Sequence, residues 1–126
     1  MFLPSGISQA FVAASIVLAA IATTQPVEAA GALAYGKCGA YGYSFDHARS
    51  AEAQAAAKAK CNGTCTVVTM NRACAAFAID LKNPCGAYGY AVAAKISGAL
   101  NAASRRCHEN GGKECVIRAW ACDARG

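Results

Sequence analysis

An α+β domain built from two ββαβ repeats is predicted for this chain, with one mainly antiparallel sheet, two Ala-rich helices on one face and disulfide staples. Three observations predict it. The hexapeptide "CGAYGY" occurs at residues 38–43 and again at 85–90, a spacing of 47. Each copy leads into an Ala-rich segment that runs to a cysteine, Cys61 or Cys107. A cysteine-closed turn and a strand-like run, "TVVTM" or "VIRAW", then follow in both.

Residues 11–22, "FVAASIVLAAIA", come first and do not belong to the repeats. Twelve apolar or small residues fall short of the about 20 that a membrane-spanning helix needs, and match the apolar core of a secretory signal peptide. Val27-Glu28-Ala29 offers the small residues that a signal peptidase admits, so residues 1–29 are expected to be removed. What remains, 30–126, is a single exported domain, secreted or periplasmic, with internal repeats at about 31–72 and 73–122 and no membrane span. Removing Glu28 and no basic residue raises the formal charge from +5 to +6. All eight cysteines lie after residue 29, and a dense, even set in a small exported domain reads as a disulfide framework. Cross-links are physically useful here, because the Ala and Gly that dominate the chain bury little apolar area each.

Each element has a local reason. "GALAY" is matched by "CAAFAI" as the opening strand of its copy. In the "GAYGY" strands Tyr41 and Tyr43, and Tyr88 and Tyr90, are two positions apart, so each pair presents its rings to one face. The glycines between them permit tight turns or close backbone approach. The motif therefore reads first as a folding element, and second as a tyrosine-lined binding surface. "AEAQAAAKAKC" is made of strong helix formers. In the second helix Ile96, Leu100, Ala103 and Cys107 form one stripe. Ser50 and Ser97 stand where N-caps are expected. "AAFAIDL" alternates Phe77, Ile79 and Leu81 with Ala78 and Asp80, the pattern of a half-buried strand.

With these residues in place the sequence resembles a family of bacterial exported proteins known as domain of unknown function 4189. The resemblance covers about residues 31–122 and rests on "GALAYG", "GAYGYSF", the Ala-rich helix ending in Cys61, the "CTVV" strand and the closing "WAC". It implies a fold and an exported location, and no activity. It also makes Cys38 and Cys85 additions that many relatives lack, and additions that arrive together are expected to pair. The repeat pairs Cys61 with Cys65 and Cys107 with Cys115, each across its own turn. Cys74–Cys122 then remains beside Cys38–Cys85, the alternative being Cys38–Cys74 with Cys85–Cys122. The preference rests on loop length: a Cys74–Cys122 bridge contributes roughly 4 kcal/mol in the chain-entropy estimate, a turn bridge about 2–3.

Candidate chemistry is sparse. Asp46-His47 and His108-Glu109 are acid–histidine neighbours, but adjacent residues point apart and neither pair sits beside a positioned nucleophile. Asp46 suits the start of a helix and His108 its end. Cys61, Cys65, Cys107, His108 and Cys115 include zinc-type ligands, yet the C-x3-C spacing of one copy becomes C-x7-C in the other, and an oxidising compartment favours disulfides. No metal, cofactor or nucleic acid is expected. Lys58 and Lys60 on the first helix and Arg105 and Arg106 on the second would make one basic patch if both helices share a face. The functional expectation is a small cationic binding or envelope-interaction module, or an inhibitor, facing an anionic envelope component or an acidic protein. The rival is a small envelope hydrolase using Asp46, His47 or Glu109.

Overall fold

The computed structural model describes residues 30–123; the expected signal segment, 1–29, lies outside them. Strand β1 (Ala30–Gly36) passes through a short turn at Lys37–Gly39 into β2 (Tyr41–His47), helix α1 (Ser50–Lys60) and β3 (Cys65–Asn71). The second copy follows as β4 (Cys74–Asp80), β5 (Tyr88–Ala93), α2 (Ile96–Glu109) and β6 (Cys115–Cys122). The fold is α+β, and both copies are ββαβ units.

The strands divide between two antiparallel sheets instead of sharing one, in the orders β2-β1-β3 and β5-β4-β6. The reason lies in the central strands, which carry apolar residues on both sides. Leu33 and Tyr35 of β1 meet Ala75, Phe77 and Ile79 of β4 in a core between the sheets. The alternate residues of β1, Ala30, Ala32 and Ala34, pack on Ala53 and Ala57 of α1. Cys74, Ala76 and Ala78 of β4 pack on Ala99, Ala103 and Cys107 of α2. A single sheet with both helices on one side would have left Leu33, Tyr35, Phe77 and Ile79 bare. The result is four layers, helix–sheet–sheet–helix, with the helices on opposite outer faces. For the same reason β4 is buried along its whole length, not half-buried, and Leu81 lies beyond it, exposed.

Helix packing explains the repeated hexapeptide. A Cβ on Gly42 would stand 2.8 Å from the backbone nitrogen of Cys61, and one on Gly89 would stand 2.5 Å from that of Cys107. The middle glycine of each "GAYGY" is therefore where the end of a helix crosses an edge strand. The close approach lets the helix ends reach strand carbonyls: Lys60 Nζ donates to Tyr43 O at 3.2 Å, and Arg106 Nη1 to Tyr90 O at 2.6 Å. Asn110 Nδ2 adds a bond to Tyr88 O at 2.7 Å. Neither Ser50 nor Ser97 is an N-cap. Extended Arg49 and Lys95 hold those positions without side-chain caps, and the serines fall inside the first turns.

Four disulfides staple the layers. Cys61–Cys65 and Cys107–Cys115 tie each helix end to the next strand. Cys74–Cys122 joins directly paired residues of β4 and β6. Cys38–Cys85 links the two copies at their "GAYGY" motifs. Buried Asp80 closes the far end of the second sheet, where its Oδ1 accepts from the backbone amides of Lys82 and Glu114, both at 3.1 Å. Burial opposes its ionisation, but these amides and that of Lys113 outweigh it and hold the carboxyl below its ordinary value.

Gly42→Ala and Gly89→Ala should each cost about 3 kcal/mol, because the methyl meets helix backbone that has nowhere to move; urea unfolding of oxidised protein measures it. Replacing both Cys74 and Cys122 with Ala should cost about 4 kcal/mol, against about 2 for Cys61 and Cys65, since the chain closed is far longer. Asp80 is a stronger acid folded than unfolded. It therefore adds stability above the unfolded value of about pH 4, and that contribution is lost as pH falls through the lower folded value. Asp80→Asn should accordingly be less stable than the parent at neutral pH, with the gap narrowing in acid unfolding profiles.

Candidate functional site

Strand registers define where the two copies differ. In β1, Tyr35 pairs with Tyr41 and Leu33 with Tyr43; in β4, Ile79 pairs with Tyr88 and Phe77 with Tyr90. Tyr35 and Ile79 are thus equivalent, as are Leu33 and Phe77. On the third strands, Val68 opposite Leu33 corresponds to Ala119 opposite Phe77, and Met70 opposite Gly31 to Ala121 opposite Ala75. Residues paired across a ladder share a face, so all of these point between the sheets.

The stacked sheets have two seams, one between β5 and β3 and one between β2 and β6. Large side chains occupy the middle of the first, which keeps a hollow of about 430 Å³ at its Cys38–Cys85 end, lined by Tyr35, Thr66, Phe77 and Tyr88. Tyr35 stacks on Tyr90 with ring centroids 4.6 Å apart and lies 5.8 Å from Tyr88, while Val68 and Met70 occupy the floor. Burial and the adjoining Tyr90 hydroxyl push the Tyr35 phenol above the ordinary tyrosine range.

The second seam is open. Ile79 replaces the tyrosine, and Ala119 and Ala121 replace valine and methionine. A cleft of about 490 Å³ results, lined by Tyr41, Tyr43 and Phe45 of β2 and by residues 118–122 of β6. Its roof is a ladder of parallel rings: Tyr41–Tyr43 and Tyr43–Phe45 centroids are each 6.4 Å apart, at interplanar angles of 1° and 15°. Phe45 is 53% exposed, Trp120 55% and Tyr43 40%. Large rings standing in water are a general feature of interaction surfaces. The seam is tied at both ends. Arg118 Nε donates to Gly39 O at 3.0 Å with its guanidinium 5.2 Å from the centre of the Tyr41 ring, and Asp46 N donates to Asp123 Oδ1 at 3.2 Å.

Of the residues singled out from the sequence, Tyr41 and Tyr43 stand in this cleft. Tyr88 and Tyr90 sit at the filled seam and line, with Arg106, Glu109 and Asn110, a separate hollow of about 570 Å³ toward the end of α2. Lys58 and Lys60 lie in one outer layer and Arg105 and Arg106 in the other, so the four do not form one patch. Lys60 and Arg106 hold strand carbonyls, and Arg105 meets Glu109 at 3.8 Å. Asp46 and His47 end β2, whereas His108 and Glu109 end α2 on the outer face of the other sheet. His108 Nδ1 lies 3.1 Å from Gly112 O. Buried Ser44 donates to Ala53 O at 2.5 Å, fastening α1 to β2. Every candidate zinc-type cysteine is in a disulfide, and among the described residues no three His, Cys, Asp or Glu side chains gather as metal ligands.

Phe45, Arg118 and Trp120 escaped sequence reasoning. Phe45 had a signal, since it continues the Tyr41, Tyr43 alternation. Arg118 and Trp120 had none, because only the stacking of sheets brings β6 against β2.

No curated protein and no solved structure matches the chain. A family model does, from residue 30 to residue 122, the span of both ββαβ copies, and the chain accordingly belongs to the family described as Domain of unknown function (DUF4189).

Proposed function

We propose that this protein is an exported, disulfide-stapled binding module, not an enzyme, and that its ligand lies in the cleft between β2 and β6. The observation that carries the reading is the contrast between the seams. The same duplicated scaffold is filled by Tyr35, Val68 and Met70 on one side and emptied by Ile79, Ala119 and Ala121 on the other. The emptied side carries the Tyr41–Tyr43–Phe45 ladder along an open cleft, whereas Tyr88 and Tyr90 at the other seam, also exposed, pack on Tyr35. Binding energy in such clefts comes from desolvating aromatic and arginine side chains, and Arg118 adds a positive charge at one end. That charge favours an acidic ligand, in keeping with the excess of basic over acidic residues in the chain. Four disulfides support an oxidising compartment, and among the described residues no helix is long and apolar enough to cross a membrane. Intact-mass measurement of exported protein should give a chain beginning at Ala30 or Gly31.

Trp120 is the only tryptophan in the chain, so its fluorescence reports on the cleft without labelling. Titration with acidic peptides or anionic oligosaccharides should shift its emission to the blue and protect it from iodide quenching. Ala119→Val with Ala121→Met installs the side chains that the filled seam already accommodates. This variant should fold, with unchanged disulfides and circular dichroism, and lose the ligand response. A response that survives the filling, or Trp120 emission indifferent to both ligand classes, would place the binding surface elsewhere.

A further inference from the structure

The structure assigns the cleft a ligand class: we infer that it takes an extended acidic peptide, added as a strand along the free edge of β6 beneath the Tyr41–Tyr43–Phe45 ladder. This rests on the cleft being the binding site, and three features of its lining lead further.

The first is the backbone. β6 pairs with β4 alone, and its five consecutive residues Arg118–Cys122 line the cleft. A row of unpaired amides and carbonyls along a strand edge is a template for another strand. Two of the other three edges, those of β2 and β5, are not equivalent to it, and the third, β3, does not line the cleft. Lys60 covers the Tyr43 carbonyl of β2, and Arg106 and Asn110 cover the Tyr90 and Tyr88 carbonyls of β5. Such basic side chains are a usual way to blunt an edge. Among the described residues no side chain bonds to the outer edge of β6. A bulge lies between its pairings with Phe77 and Ala78, at Arg118, which sets where an added strand begins.

The second is what the lining lacks. A sugar stacked on the rings would present hydroxyls on its rim, which need carboxylates or amides placed to meet them. The cleft has no Asp, Glu, Asn or Gln among its lining residues. A peptide brings its own amides and carbonyls in register with β6, and every second side chain would point to the rings. The ladder repeats at 6.4 Å, close to the two-residue repeat of a strand, about 6.6–6.8 Å.

The third is charge. Arg118 uses Nε on Gly39 O and rests on Tyr41, which fixes the guanidinium at the mouth of the cleft with its remaining N–H groups available. It is exposed and has no carboxylate partner among the described residues. Lys60 lies just over the ladder, lining with Tyr41, Tyr43 and Phe45 the adjoining hollow. A carboxylate in the added strand therefore meets a preplaced cation, and a lysine there meets repulsion.

The test uses the oxidised domain and four probes: a pool of blocked octapeptides alternating Glu with Val, Ile or Phe; the same pool N-methylated at alternate amides; the pool with Lys for Glu; and oligogalacturonate. Trp120 emission reads occupancy, and amide nitrogen–proton NMR shifts locate it. The Glu pool should bind and move the amides of residues 118–122. N-methylation, which removes two or three edge hydrogen bonds, should weaken it by roughly tenfold or more. The Lys pool should not bind, and Arg118→Gln should weaken the Glu pool roughly tenfold while leaving the fold intact. Equal binding of the N-methylated pool overturns strand addition. Oligogalacturonate occupying the cleft while the peptides do not overturns the peptide proposal and leaves the binding site standing. Silence of Trp120 toward all four overturns both.

Discussion

Both central strands are covered on both sides, and the remaining architecture follows from that demand. β1 and β4 each set small residues toward a helix and large ones toward the opposite sheet. Alanine on strand and helix alike brings the helix backbone close to the sheet, closer than a leucine-faced pair would allow. That proximity makes Gly42 and Gly89 obligatory and lets Lys60 and Arg106 reach the carbonyls of the edge strands. It also limits how much apolar area the outer layers bury, so most of the large side chains collect in one thin core between the sheets. Four disulfides compensate by restricting the unfolded chain. Two of them do so at the helix ends, where the packing is thinnest in side-chain volume.

Duplication then creates an opportunity. Two copies related by approximate two-fold symmetry present two seams, and a seam is either part of the core or a groove in the surface. Three positions decide which. Tyr35, Val68 and Met70 complete the core on one side; Ile79, Ala119 and Ala121 withhold the same volume on the other. Tyr43 and Phe45 of β2 are consequently left facing water, with Tyr41 half-buried beside them. In the proposed reading, missing volume in an otherwise sound scaffold carries the function; of the acid–histidine neighbours, His108 lies against Gly112 O and Glu109 meets Arg105.

The basic residues show how the same side chain changes meaning with context. As sequence, Lys60 and Arg106 look like ligand-binding charges. In the fold they are the devices that blunt two edge strands, while Arg118, isolated in "VIRAW", is the cation held at the cleft. The edges of β2 and β5 are capped and, among the described residues, those of β3 and β6 are not, and of the uncapped pair it is β6 that lines the cleft.

The sequence alone was enough for the element order, the α+β class, the helical stripe ending at Cys107 and the pairing of each turn's cysteines, because these depend on local propensity and on a repeat visible to alignment. It also marked "GAYGY" as a folding element. Four things depended on tertiary structure. The strands form two sheets, since whether strand edges join is decided by which faces need cover. The helices take opposite outer layers, which separates Lys58 and Lys60 from Arg105 and Arg106. The chain enters each helix extended, so Ser50 and Ser97 fall one position or more inside the cap. Finally, the cleft depends on β6 lying against β2, a contact between residues some 75 positions apart that leaves no periodicity in either strand. Local patterns report which face of a strand is buried; what buries it is a property of the whole chain.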